Sequence, residues 1–377
     1  MNTSIAPELM KQRLVSLDVL RGITIAFMIL VNNQVDDRAY WPLKHAAWNG
    51  CTPTDLVFPT FLFLVGVSLV FSTESRLARG VSTSSLLSHA IRRTIVLFLL
   101  GLVVNGYPLF HLGTLRIYGV LQRIAICYLI SVLLYLTSRR VVILSAIFAF
   151  TLVAYWFLMR WVPVPGHGIP GVGIPLLDRD ANLVAYVDRC LFPGRLYEIT
   201  RDPEGLLSTL PAIGTTLAGV LTGIFLRSSR SLQQKATTLV LFGVCGICIG
   251  GIWNNWFPMN KKLWTSSYVL FAGGCALLAL ALCIYLIDIA RAGRGIYAFL
   301  VFGRNAIAAY VFAELLQSTL ASIKLANHVS LQQNLYLKML QYIPSPPLSS
   351  ALYAFAFVVI CWVPMDWMYR RQIFVKI

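Results

Sequence analysis

The sequence predicts an all-α protein, a polytopic integral membrane bundle of about ten transmembrane helices with both termini in the cytosol. The chain of 377 residues is 58% hydrophobic and only 12% charged, and its mean hydropathy is +0.72. Apolar stretches near the ~20 residues that a helix needs to cross a bilayer recur along the whole chain. One soluble core could not bury so much apolar surface, which excludes an ordinary soluble protein.

The apolar stretches define the expected crossings in order along the chain. They fall at about residues 14–34, 54–73, 94–108, 117–137, 141–160, 206–226, 237–257, 265–288, 296–318 and 348–368. No small-residue cleavage pattern follows the first stretch, so we expect an uncleaved first helix. We found no internal repeat, and a single membrane domain over residues 1–377 is therefore the simplest organisation.

The basic residues predict the orientation of the bundle. With the N-terminus inside, the inner segments hold sixteen basic residues and the short outer segments hold seven. The positive-inside rule then places both termini in the cytosol. Membrane topology thus accounts for the net charge of +16. Because no nucleic-acid motif accompanies this charge, we expect the protein to contact membrane lipid and to bind no nucleic acid.

A long outer loop is expected at about residues 161–205. It opens with VPVPGHGIPGVGIP, whose proline and glycine content is incompatible with helix and strand. We expect this loop to cover a site. Cys51 and Cys190 both fall on the outer side, where they form either a disulfide or two free thiols.

The segment WPLKHAAWNGCTPTDLVFP, between the first two spans, is the densest chemical stretch of the chain. His45, Trp48, Asn49 and Asp55 lie there within eleven residues. An imidazole beside a carboxylate is suited to general-base catalysis. Histidine and tryptophan are also common at membrane boundaries, and Asp55 could instead cap the second helix.

Other polar side chains interrupt the spans, and each of them requires a partner or a function. Asp18 and Arg21 are three residues apart, so they can pair with each other or face a ligand. We expect the remaining groups to converge on a wet or ligand-filled cavity, or to pair with Glu314 and with each other. They are Arg116, Gln122, Arg123, Arg304 and Asn305.

The motif SLDVLRGITIAFMILVNN, followed by KHAAWNGCTPTDLVFP, resembles the transmembrane heparan-α-glucosaminide N-acetyltransferases and their bacterial homologues. RIYGVLQRIA, DPEGLLSTLPAI, NKKLWTSSYV and GRNAIAAYV follow in the same order, so the resemblance covers nearly the whole chain from about residue 13. It implies a multi-pass enzyme of the bacterial inner membrane, with His45 as its catalytic histidine and Asn32 as its active-site asparagine. Such enzymes take acetyl-CoA from the cytosol and acetylate the amine of a terminal glucosamine on the far side.

This sequence departs from the animal lysosomal enzyme in two places. The stretch NQVDDRAYWPLK is slightly longer, and the long lumenal N-terminal region has no counterpart in it. We therefore expect an amino-sugar acceptor that need not be heparan sulfate.

Acyl transfer from a thioester to an amine requires a base and donors for the developing oxyanion. The candidate catalytic set is His45 as the general base, Asn32 as a donor to the thioester oxygen or to the amine, and Asp55 as the group that orients the imidazole. Trp48, Asn49, Asp202 and Glu204 are candidates for the acceptor sugar, although Asp202 could instead be the N-cap of the helix that follows DPEG.

Acetyl-CoA is expected as the acyl-donor substrate, without a metal. Its phosphate groups cannot enter lipid, so arginines are their natural partners. The candidate contacts are Arg21, Arg93, Arg123, Arg304 and Asn305. Two alternatives remain beside this interpretation: an O-acyltransferase of a surface polysaccharide, and a secondary sugar transporter, which would consume no acetyl-CoA. The oligomeric state stays open, with a homo-oligomer among the outcomes.

Overall fold

The computed structural model describes residues 14–325 and 328–375. Lys11, Arg13 and Lys376, which contribute to the basic count, lie outside the described residues. The described chain is helical and holds no strand. Its α-helices are α1 (Val15–Asn32), α2 (Val57–Leu77), α3 (Thr83–Gly106), α4 (Val120–Thr137), α5 (Val141–Trp161), α6 (Leu183–Leu191), α7 (Thr209–Leu226), α8 (Leu232–Trp253), α9 (Ser266–Cys283), α10 (Tyr297–Arg304), α11 (Ala306–Ser322), α12 (Leu331–Tyr342) and α13 (Pro346–Arg370).

Within the described residues, nine helices are long and apolar enough to cross a membrane, and the count is ten when the bent pair α10 and α11 is taken as one span. This confirms the predicted polytopic helical fold. The loops alternate between two ends of the bundle. We call one of them the His45 end, formed by residues 33–52, 107–119, 162–208, 254–265, 323–325 and 328–345, and we call the opposite one the Glu74 end.

Helix α3 begins eleven residues before the predicted start at residue 94. Ser82 caps it, because its hydroxyl accepts a hydrogen bond from the backbone N–H of Ser85 at 3.2 Å. Arg92 and Arg93 therefore lie inside a helix of 24 residues, and the Arg93 guanidinium lies 4.4 Å from the ring centroid of Tyr128. Hydropathy located only the apolar part of this span, since these two charges interrupt its beginning.

The ninth span was predicted as one continuous helix, and it is bent by 86° between α10 and α11. Asn305 lies at the bend. Its side-chain amide donates to the carbonyl of Ile373 at 3.0 Å and accepts from the backbone N–H of Val375 at 3.1 Å. The side chain thus connects the bend to the C-terminal segment of the described chain.

Helix α10 packs against α1 at backbone distance. A Cβ added to Gly303 would lie 1.9 Å from the carbonyl oxygen of Asp18, and one added to Gly22 would lie 1.8 Å from that of Phe299. Any larger residue at either position would therefore separate the two helices. This contact places Arg304, at the end of α10, beside Asp18 of α1.

The long loop is irregular through residue 182, as its proline and glycine content predicts, and it then contains the unpredicted helix α6. Asn182 caps α6 by accepting from the backbone N–H of Ala185 at 2.9 Å. Helix α7 begins at Thr209, seven residues after Asp202, and its N-cap is Ser208. The alternative in which Asp202 caps this helix is therefore wrong.

The predicted sidedness can be tested with two cysteines placed at opposite ends of the bundle. Cys51 and Cys190 are both free thiols, and Cys190 is exposed, so the test uses a Cys190→Ser background. We expect a membrane-impermeant maleimide added to whole cells to label Ala181→Cys and to leave Ser84→Cys unlabelled until the membrane is opened. Labelling of residue 84 alone would reverse the predicted orientation.

Candidate active site

Asp55 holds His45 in place at the His45 end. Its Oδ1 lies 2.7 Å from the imidazole Nδ1, while its Oδ2 accepts hydrogen bonds from the backbone N–H groups of Ala46 and Thr52, each at 3.0 Å. Thr52 and Asp55 also form a capping box at the start of the second span. Helix capping and imidazole orientation, which the sequence presented as alternatives, are thus carried out by different oxygens of one buried carboxylate.

The arrangement selects one protonation form of the imidazole. A carboxylate accepts hydrogen bonds, so Nδ1 carries the proton and Nε2 keeps a lone pair. The His45 side chain is 42% exposed, whereas that of Asp55 is only 1% exposed. The base position is therefore accessible, and the group that orients it is protected from water.

Lys261 is the closest cation to His45, and sequence reasoning had overlooked it. Its Nζ lies 3.1 Å from Nδ1 and 3.3 Å from Nε2 of the imidazole. The loop that carries it is connected to the His45 loop in two ways: the Gly50 N–H donates to the Met259 carbonyl at 2.8 Å, and the side chains of Asn260 and Asn49 are hydrogen-bonded at 3.1 Å.

Partial burial favours the neutral form of His45. Desolvation lowers the pKa of His45 below its usual 6.5, and the Lys261 ammonium lowers it further, whereas Asp55 and Glu204 oppose this effect. Desolvation also lowers the pKa of Lys261 from its usual 10.5. A neutral imidazole can accept a proton at Nε2 from a substrate that displaces the Lys261 ammonium from this nitrogen.

Asn32 lies at the end of α1, where its side-chain N–H donates to Glu314 of α11 at 3.2 Å. The backbone carbonyl of Asn32 accepts from Gln317 at 3.2 Å, so two groups of α11 hold this residue. Asn32 is exposed. Its amide is therefore fixed in orientation and still accessible.

Arg116 connects the two acidic residues of the DPEG segment. It donates to both carboxylate oxygens of Asp202, at 2.8 and 2.6 Å, and to Glu204 at 2.5 Å. Asp202 is fully buried in this network, whereas the Glu204 side chain is 11% exposed. Glu204 is close enough to His45 and to Glu314 to act electrostatically on both.

Trp48 and Asn49 follow His45 in the same segment, and both side chains contact other loops of the His45 end. The Trp48 indole N–H donates to the Leu177 carbonyl at 2.7 Å, and the guanidinium groups of Arg201 and Arg179 lie 5.2 and 5.6 Å from its ring centroid. The long loop is thus attached to the His45 segment, as expected of a cover. The Trp48 ring already has protein groups against it, which restricts its surface for a sugar.

The five candidates for acetyl-CoA binding do not form one group. Arg21 and Arg304 both pair with Asp18, at 3.1 and 3.7 Å, and Arg21 also donates to Ser68 at 2.6 Å. Asn305 contacts the C-terminal segment. Arg123 is fully buried and donates to the Gly205 carbonyl at 3.1 Å, close to the His45 end.

Arg93 lies beside a narrow gap inside the bundle. The gap has a volume of only about 30 Å³. Apart from Arg93 it is lined by apolar side chains of α1 to α4 and by two residues of α11, Ile307 and Tyr310. Tyr310 lies one helical turn from Glu314, so the gap leads from the middle of the bundle toward the Asn32 region.

Comparison with known proteins identifies the family of the chain. A sequence profile described as "Heparan-alpha-glucosaminide N-acetyltransferase, catalytic" matches residues 13–248. The heparan-alpha-glucosaminide N-acetyltransferases of Mus musculus and Homo sapiens are each 30% identical to the chain over 81% of its length. The chain spans about half the length of these relatives, 54% and 53%. The chain belongs to the heparan-alpha-glucosaminide N-acetyltransferase catalytic family.

Proposed function

We propose that the chain is a transmembrane N-acetyltransferase that transfers the acetyl group of acetyl-CoA to the free amine of a glucosamine or glucosaminide. The observation that carries this proposal is the Asp55, His45 and Lys261 arrangement, which presents a neutral imidazole at the end of a membrane bundle. Family membership supports the acetyl transfer.

The reaction joins the amine nitrogen to the acetyl carbonyl carbon and breaks the C–S bond of the thioester. His45 Nε2 takes the proton that the attacking amine loses, and the CoA thiolate leaves and is protonated. Asn32 and the Lys261 ammonium supply donors for the oxyanion that forms on the carbonyl oxygen. Asp55 positions the imidazole through Nδ1 and stabilises its cationic form.

Acetyl-CoA enters from the Glu74 end in this proposal. Its pantetheine arm follows the narrow gap past Arg93 toward Asn32, and the surrounding helices must separate to admit it. The arm then crosses only part of the ~30 Å apolar layer. Arg21 and Arg304 bind its phosphate groups, since their guanidinium groups lie at the Glu74 end and their side chains are 22% and 30% exposed. Arg123 and Asn305 support the fold around this path.

Glu204 is the acidic group best placed to receive the acceptor. Its Oε2 accepts from Arg116 and its side chain is 11% exposed, whereas the Asp202 side chain is fully buried and accepts from Arg116, Tyr197 and Glu204. In our proposal Asp202 positions Arg116 and Glu204 binds the acceptor ammonium before it loses a proton. Trp48 and Asn49 border the acceptor.

The proposal is tested with a panel of acceptors and the release of free CoA. We expect glucosamine to be consumed and N-acetylglucosamine and glucose to be inactive, because only the first presents a free amine to the base. The product should be an amide that resists hydroxylamine. Equal thiol release with glucose and glucosamine would favour O-acylation, and sugar exchange across vesicles without CoA release would indicate a transporter.

The charge of Lys261 predicts the pH dependence of the reaction. The neutral base is lost as pH falls through the pKa of His45, so kcat/KM should decline on the acid side with a midpoint below 6.5. Lys261→Met removes a charge that lowers the pKa of His45. We therefore expect the midpoint of the kcat/KM profile of this variant to lie at higher pH than that of the parent protein. Lys262→Met is the matched control, since Lys262 pairs with Glu198 at 2.7 Å. An unchanged midpoint in Lys261→Met would remove Lys261 from the tuning of His45.

A further inference from the structure

A wide groove lies on the flank of the bundle where α5 and α8 reach the His45 end. Its volume is about 740 Å³, and four of the nine tryptophans of the chain line it together with Arg160. The tryptophans are Trp156, Trp161, Trp253 and Trp256. Tryptophan is enriched where a membrane meets water, so this groove lies at the depth of the lipid headgroups.

Three of these tryptophans form one packed set. Trp156 contacts Trp161 and Trp253 edge to face, with ring centroids 4.7 and 5.9 Å apart. The indole N–H of Trp156 is buried and has no acceptor among the described residues. A buried donor of this kind favours a ligand that brings an acceptor oxygen into the groove.

Arg160 provides the only charge in the lining. One of its N–H groups donates to the Pro170 carbonyl, and its other N–H groups have no acceptor in the described part of the chain. Gly171 leaves space for the Arg160 guanidinium, because a Cβ at this position would lie 2.9 Å from Arg160 Nη1. The φ of Gly171 is +79°, which also favours glycine. The guanidinium is thus fixed by the loop and retains free donors.

The lining continues along α8 as an apolar surface. Ile249 and Ile252 are three residues apart on one helix face, and they are 53% and 57% exposed. A ligand with a phosphate at Arg160 could extend its acyl chains along these side chains. From this combination of charge, free donors and apolar surface we propose that the groove binds one anionic phospholipid through its phosphate.

A bound phospholipid would also support the site. Leu176 lines the groove, and the carbonyl of the next residue, Leu177, accepts from Trp48 at 2.7 Å. The same short segment therefore contacts the groove on one side and the wall of the candidate active site on the other. The lipid site stands independently of the proposed acetyl transfer, because its test measures binding alone.

The experiment is quenching of tryptophan fluorescence by brominated phospholipids in vesicles. The protein is reconstituted in phosphatidylcholine with a fixed small fraction of dibrominated phosphatidylglycerol or dibrominated phosphatidylcholine. We expect about fivefold stronger binding of the brominated phosphatidylglycerol, since one arginine near a membrane surface gives an attraction of about that size. Bulk lipid quenches equally in both cases, so the difference reports the site.

Arg160→Gln should abolish the difference in quenching between the two brominated lipids. Arg195→Gln removes the same charge from the same end of the bundle and should preserve this difference. Equal quenching by the two lipids in the unmodified protein would by itself overturn the proposal. A difference that persists in Arg160→Gln would overturn it as well. Helical circular dichroism of each variant verifies that it is folded.

Discussion

His45→Ala is expected to lower the rate of acetyl transfer by about 10²- to 10⁴-fold, because the substitution removes the base that takes the amine proton. The binding of acetyl-CoA should change little, since its phosphate groups are expected at the Glu74 end, far from the imidazole. Single-turnover acetylation of glucosamine and the separate titration of acetyl-CoA measure the two quantities.

His167→Ala is the matched control for this prediction. His167 is an exposed histidine at the same end of the bundle, and its imidazole has no hydrogen-bond partner among the described residues. Its replacement should leave turnover unchanged. Turnover of His45→Ala within a few fold of the parent protein would exclude His45 from the chemistry.

Asn32→Ala has the second largest expected effect, a loss of about 10²- to 10³-fold in kcat. The side-chain amide of Asn32 is held by Glu314 at 3.2 Å, so it is already oriented when the oxyanion forms. A transition-state donor of this kind lowers kcat when it is removed and leaves the acceptor KM nearly unchanged. Steady-state kinetics with varied glucosamine separates the two constants.

Gln317→Ala is the control for Asn32. Gln317 donates to the backbone carbonyl of Asn32 and not to its side chain, so we expect a much smaller loss of kcat. An increase in the acceptor KM of Asn32→Ala with kcat preserved would instead assign Asn32 to sugar binding.

Hydropathy predicted the polytopic helical fold, since a lipid layer imposes one length on every crossing. It did not predict features that depend on polar contacts between distant segments. The bend at Asn305 lies within a continuous apolar pattern, and it coincides with the hydrogen bonds of this side chain to residues 373 and 375. The start of α3 was missed because Arg92 and Arg93 are charged, yet they lie within the helix.

In the candidate active site, too, contacts within one segment could be predicted from the sequence and contacts between distant segments could not. His45 and Asp55 are ten residues apart, so their pairing could be anticipated from one segment. Lys261 is 216 residues from His45, and in the sequence it is one of two lysines in a polar turn. Nothing in that local pattern indicates its partner, because the contact arises from the packing of α9 against α2 and α8.

Sided acetyl transfer in sealed vesicles tests the central proposal most directly. Acetyl-CoA with a labelled acetyl group is supplied at the Glu74 end and glucosamine at the His45 end. Labelled N-acetylglucosamine should appear at the His45 end with one free CoA released for each amide formed, and His45→Ala vesicles should form none. Amide formation only when both substrates are at the same end, or equal formation by His45→Ala vesicles, would contradict the account.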